Sequence, residues 1–133
     1  MDSDIQQKVE YWLELAEYDL ETARVMLNGR RYLYVGFMCH QVIEKALKAC
    51  TWQLRGIETE YTHSLSRLVR KSGVSSNIPS AYVGLLDVLE PLNIEARYPT
   101  HRGKLLQSLT RARCEEIVNQ TSGFFQWIKS SLS

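Results

Sequence analysis

Residues 31–56, RYLYVGFMCHQVIEKALKACTWQLRG, decide the fold. Tyr32, Val35, Cys39, Val42, Ile43, Ala46, Leu47, Ala49, Cys50 and Leu54 recur at helical spacing and spread over a broad face. The stretch predicts a helix from about Arg31 to Arg55, closed by Gly56. So broad an apolar face needs neighbours on more than one side, which makes this helix central. A polar strip interrupts it: His40, Glu44, Lys45 and Lys48. Glu44 and Lys48 stand four apart, the spacing of an ordinary surface ion pair. Lys45 projects to a neighbouring face, where it can reach a phosphate. A polar strip on an otherwise buried helix suits a lined groove better than open solvent.

Toward the N-terminus, Ser3-Asp4-Ile5-Gln6 reads as a capping box. Ile5, Val9, Trp12, Leu13, Ala16, Leu20, Ala23 and Leu27 continue one helical stripe, and Asn28-Gly29 supplies a left-handed stop. Toward the C-terminus, Thr62 or Ser64 caps a short helix carrying Leu65, Leu68 and Val69 and closed by Gly73. A polar loop, 72–77, follows. Pro79 opens a helix with Tyr82, Leu85, Leu86 and Leu89, and Pro91 ends or kinks it. Residues 93–108 are irregular, broken by Pro99 and Gly103. Thr110 caps a last helix with Ile117, Val118, Phe124, Phe125, Ile128 and Leu132. Gly36, Gly84 and Gly123 fall inside predicted helices, where close helix–helix approach would offset their low propensity.

The expectation is an all-α chain, a single domain over 1–133. It is a four- to five-helix up-and-down bundle with a short extra helix and an irregular loop before the last one. Phe124, Phe125 and Trp127 near the end are bulky enough to leave apolar surface for a second copy, which points to a homodimer.

Composition excludes more than it selects. Apolar residues at 44% and a net charge of +1 argue against disorder. The acidic start, Met1-Asp2-Ser3-Asp4, lacks a secretory profile, and no apolar run nears the roughly 18–20 residues of a membrane span, so a cytoplasmic location is expected. Three cysteines make no disulfide framework. Cys39 and Cys50, eleven residues apart on one helix, would be ~16 Å apart, beyond the ~7 Å limit for a bridge.

Charge is unevenly placed. Residues 1–29 hold seven acids and two bases, whereas 30–71 hold eight bases and three acids, and 97–113 hold five bases and no acid. The two basic segments either converge on a phosphate or neutralise the acidic first helix. The first reading names Lys45, Lys48, Arg97, Arg102 and Lys104. There is no phosphate loop, dinucleotide fingerprint or zinc-spaced cysteine pair, so neither cofactor nor metal is expected. His63 after Thr62 reads as part of a helix cap.

Three segments together resemble the HEPN domain, a helical family named for nucleotide binding in higher eukaryotes and prokaryotes. They are Trp12-Leu13-Glu14-Leu15-Ala16-Glu17-Tyr18-Asp19-Leu20 with the following Asn28-Gly29-Arg30-Arg31-Tyr32; His40-Gln41-Val42-Ile43-Glu44-Lys45-Ala46-Leu47-Lys48; and Thr62-His63-Ser64-Leu65 with Ala96-Arg97-Tyr98-Pro99. The resemblance covers nearly the whole chain and is to the small stand-alone prokaryotic type. It implies a non-catalytic homodimer that binds nucleotide or nucleic acid and partners a minimal nucleotidyltransferase, as in a toxin–antitoxin pair. HEPN ribonucleases instead carry an Arg, four to six residues, then a His. Here Arg97 and His101 are separated by three residues, with Pro99 between them. A metal-independent endoribonuclease using Arg97 on the phosphate and His101 for proton transfer is the alternative. Its spacing is defective, which favours the non-catalytic reading.

Overall fold

α2 (Tyr32–Arg55) is the axis of the chain. The computed structural model describes residues 3–74, 77–95 and 107–132. Around α2 lie α1 (Ser3–Asn28), α3 (Leu65–Ser72), α4 (Ser80–Leu89), the single turn α5 (Leu92–Glu95) and α6 (Arg111–Ser131). All five pack against α2, while α6 also rests on α1 and α4. Thirteen residues of α2 are buried, among them Val35, Cys39, Val42, Ile43, Ala46, Leu47 and Cys50. The broad apolar face thus gave the right position for this helix. The described residues are all-helical, as expected, and five helices are longer than one turn.

Several ends are where their residue chemistry places them. Ser64 Oγ accepts from the Arg67 N–H at 3.3 Å, and Thr110 Oγ1 from the Arg113 N–H at 3.2 Å. Gly56 (φ 67°) closes α2 and Gly73 (φ 95°) closes α3. Two ends differ. Ser3 is already helical, so it is not the N-cap that the capping box requires. The left-handed residue after α1 is Arg30 (φ 62°), not Gly29. Arg31 N–H reaches Met26 O at 2.8 Å and Arg30 N–H reaches Leu27 O at 3.1 Å. That is a Schellman pair with a non-glycine residue in its strained position.

Two interior glycines mark close approaches. A Cβ on Gly36 would lie 2.6 Å from Leu92 Cδ1, and one on Gly123 would lie 2.8 Å from Tyr82 Oη. Tyr82 stacks on Phe124 at 4.9 Å, which holds α4 to α6. Gly84 corrects the expectation: nothing lies within 4 Å of a Cβ there. Phe124 and Phe125 are wholly buried within the monomer, so of the three only the half-buried Trp127 keeps surface open to a second copy. A set of exposed apolar side chains lies on α1, where Tyr11, Tyr18 and Val25 are 56%, 67% and 64% exposed. Among the described residues no helix is long and apolar enough to cross a membrane.

Relieving the left-handed strain should stabilise the protein. Arg30→Gly is expected to add about 0.5–1 kcal/mol, because the strain outweighs the extra freedom glycine gains on unfolding. A thermal melt should show Tm rising by roughly 2–5 °C.

Candidate functional site

A carboxylate inside the bundle organises this region. Glu44, in the middle of α2, is 2% exposed. Lys48 Nζ donates to its Oε2 at 3.0 Å, and His63 Nδ1, from the segment before α3, donates to its Oε1 at 3.0 Å. The i,i+4 pair is therefore a buried contact rather than the surface pair its spacing suggests. His63 is a ligand of this carboxylate; the adjoining cap contact is made by Thr62 Oγ1, which accepts from the Ser64 N–H at 3.1 Å.

His40, one turn before Glu44, is fully buried. Its Nδ1 lies 3.7 Å from Glu44 Oε1 and its Nε2 lies 3.7 Å from Glu90 Oε2. Neither ring nitrogen makes a hydrogen bond of ordinary geometry. Burial pushes the imidazole pKa down, against the pull of Glu44, Glu90 and the backbone of His63, so the ring is neutral near pH 7. Glu90, just past α4, accepts from the Leu65 N–H at 2.9 Å, the Ser66 N–H at 3.2 Å and the Ser64 hydroxyl at 3.2 Å. It caps the start of α3 from another helix, a role no local pattern announces.

Two hollows lie beside this cluster. One, of about 310 Å³, is walled by Trp12, Lys48, Trp52 and Tyr61 with residues 58–60. Lys48 Nζ sits 5.0 Å over the Trp12 ring and Lys8 Nζ 5.1 Å over the Trp52 ring. The other, of about 350 Å³, shares the 58–60 strip and is lined by Arg55, Arg70 and Lys71. Those three cations make no ion pair among the described residues. Glu60 is bonded to Arg67, which holds its carboxyl below the ordinary range, with Lys71 and Arg70 adding to the effect.

The sequence-derived phosphate residues part company here. Lys45 is paired with Asp19 of α1, so it neutralises the acidic helix. Lys48 serves Glu44 and also walls the aromatic hollow. Arg97, His101, Arg102 and Lys104, together with Tyr98, lie outside the described residues. The basic run does include Arg111 and Arg113, which bond Glu115 at 2.8 Å and Glu116 at 2.6 Å. Sequence reasoning missed Arg55, Arg70 and Lys71. They belong to the net-positive 30–71 segment, but each stands in the last turn of a helix, where a base ordinarily complements the helix dipole.

The cysteines offer no nucleophile. Burial pushes the thiols of Cys39 and Cys50 up to about 12 and that of Cys114 to about 11. Among the described residues, no three His, Cys, Asp or Glu side chains stand together as a metal site.

The architecture and its buried strip define a class of small helical domain. A profile of the HEPN domain matches residues 9–131, and the chain belongs to that family. Two solved structures share the fold. TT1696 from Thermus thermophilus is 25% identical with a TM-score of 0.80. ST0689, described as an archaeal HEPN homologue, is 27% identical with a TM-score of 0.71. Each alignment covers 94% of this chain and 98% of the other. No curated protein matches the chain.

His40 makes stability depend on pH. Its folded pKa lies below the unfolded value of ~6.5, so the unfolded chain binds the proton more readily. Stability should be full above that value and fall as pH drops through it toward the folded value, by up to ~1.4 kcal/mol per pH unit. Melts at about pH 7.5 and about pH 5.5 should show the lower Tm in acid, and His40→Gln should shrink the difference.

Proposed function

We propose that this HEPN-domain chain is a non-catalytic, homodimeric subunit that binds nucleotide or nucleic acid and pairs with a minimal nucleotidyltransferase, in a module of the toxin–antitoxin kind. One observation carries the binding half of this reading. Arg55, Arg70 and Lys71 line a single hollow and have no carboxylate bonded to them among the described residues. Helix dipoles account for one base at each helix end. Three around one concavity give a place where a phosphate replaces water and counterions. Arg97, Arg102 and Lys104 extend the set on charge alone. The three-residue gap between Arg97 and His101, broken by Pro99, supports a binding role over RNA cleavage. The nucleotidyltransferase partner rests on the family resemblance. The homodimer is supported by the stripe of Tyr11, Tyr18 and Val25, seven residues apart on α1 and each more than half exposed.

Binding of a mixed RNA should weaken steeply with salt, and the double change Arg70→Ala with Lys71→Ala should cost about 1.5–3 kcal/mol for each charged hydrogen bond lost. Both side chains are exposed, so melting should barely change. Robust cleavage of that RNA without metal, abolished by His101→Ala in a folded protein, would replace this reading with the endoribonuclease. Sedimentation should show a dimer that Tyr18→Glu dissociates, and a 15.4 kDa species at all micromolar concentrations would remove the homodimer.

A further inference from the structure

We propose that the hollow between Trp12, Trp52 and Tyr61 is a base-stacking site, so that the ligand is an unpaired nucleotide unit: base on the rings, 5′-phosphate on Arg55, Arg70 and Lys71. The inference rests on the phosphate-binding reading above and deepens it. The two hollows share the 58–60 strip as a common wall, with Trp12, Trp52 and Tyr61 on one side of it and Arg55, Arg70 and Lys71 on the other, and Glu58 and Glu60 border both. A ring joined to an anion by a short polar linker is the chemistry that fits both at once, and a nucleoside monophosphate has that form.

The aromatic side is unlike core packing. Tyr61 is 94% exposed and meets the His63 ring in a T-shaped pair, with centroids 5.6 Å apart. Its place in the bundle gives it no packing role. Trp12 comes from α1 and Trp52 from α2, and each ring carries a lysine from the other helix, Lys48 over Trp12 and Lys8 over Trp52. These crossed contacts hold two large rings at the wall of an open hollow. The volume, about 310 Å³, is at the lower end of the ~300–1,000 Å³ range of ligand sites.

The dividing strip adds polar capacity. Thr59 Oγ1 is buried without a hydrogen-bond partner among the described residues, and Thr59 borders both hollows. It lies where the sugar must cross. Glu58 also borders both hollows and makes no ion pair among the described residues. Its charge opposes a long polyphosphate and favours a single phosphate beside the base. A duplex presents no free base face, so the site selects a free nucleotide or a single-strand end.

Tryptophan fluorescence of the full chain, in a Trp127→Phe background, tests this directly, because the two remaining indoles line the hollow. Probes are adenosine 5′-monophosphate, inorganic phosphate, a short single-stranded oligoadenylate and a blunt RNA duplex. The expected result is quenching by the mononucleotide or the single strand, with Tyr61→Ala weakening binding about 5- to 150-fold. Arg70→Ala should weaken the same ligands, and phosphate alone should bind more weakly without quenching. Tighter binding of the single strand identifies a strand end as the source, and equal binding identifies the free nucleotide. If phosphate and the mononucleotide bind equally and Tyr61→Ala changes nothing, the stacking site is overturned while anion binding stands. If no probe binds at low salt, both readings fall.

Discussion

A carboxylate with almost no access to water, in the middle of the central helix, is the constraint on which the rest of the structure depends. An unpaired charge at Glu44 would cost several kcal/mol, so the fold must bring partners to it. Lys48 comes from the next turn. His63 comes from the segment after α2, and holding it there fixes where that segment crosses the bundle. Glu90 then reaches the start of α3 from the end of α4 and ties a third element to the same place. The strip 58–60, which divides the two hollows, is suspended between Gly56 and His63. Its position follows from the pairing of one buried charge.

Much of the bundle was legible because its signals are local. A helical apolar face, a Ser or Thr at an N-cap and a Gly at a helix stop are each read within a few residues. The breadth of the α2 face even indicated its central position. Arg30 shows where local reading fails: Asn28-Gly29 is the stronger left-handed signal, yet the helix runs one residue further and the strained position falls on arginine. Gly84 failed differently, since an interior glycine does not itself show that a neighbour is close.

The candidate site was less legible, since it is made of ends that meet only in three dimensions. Arg55 closes α2 while Arg70 and Lys71 close α3, and each looks like a dipole partner when read along its own helix. Trp12 looked like one more member of an apolar stripe, and the loop bearing Tyr61 has no periodicity to read. The polar strip on α2 was visible, but its burial depended on what covers it. Lys45 and Lys48 showed the opposite limit: their charge was plain, and their commitment to Asp19 and Glu44 was not.

The three cysteines give the chain an internal reporter. All are free and buried, on the helices that form the centre of the bundle. Raised pKa values leave almost no thiolate at neutral pH, so a thiol reagent reacts with them when the structure opens. Cys39 and Cys50 on α2 and Cys114 on α6 sample different helices of one core. Labelling at equal rates would mark opening as a single cooperative event, whereas early labelling of Cys114 would mark the last helix as the part that detaches first.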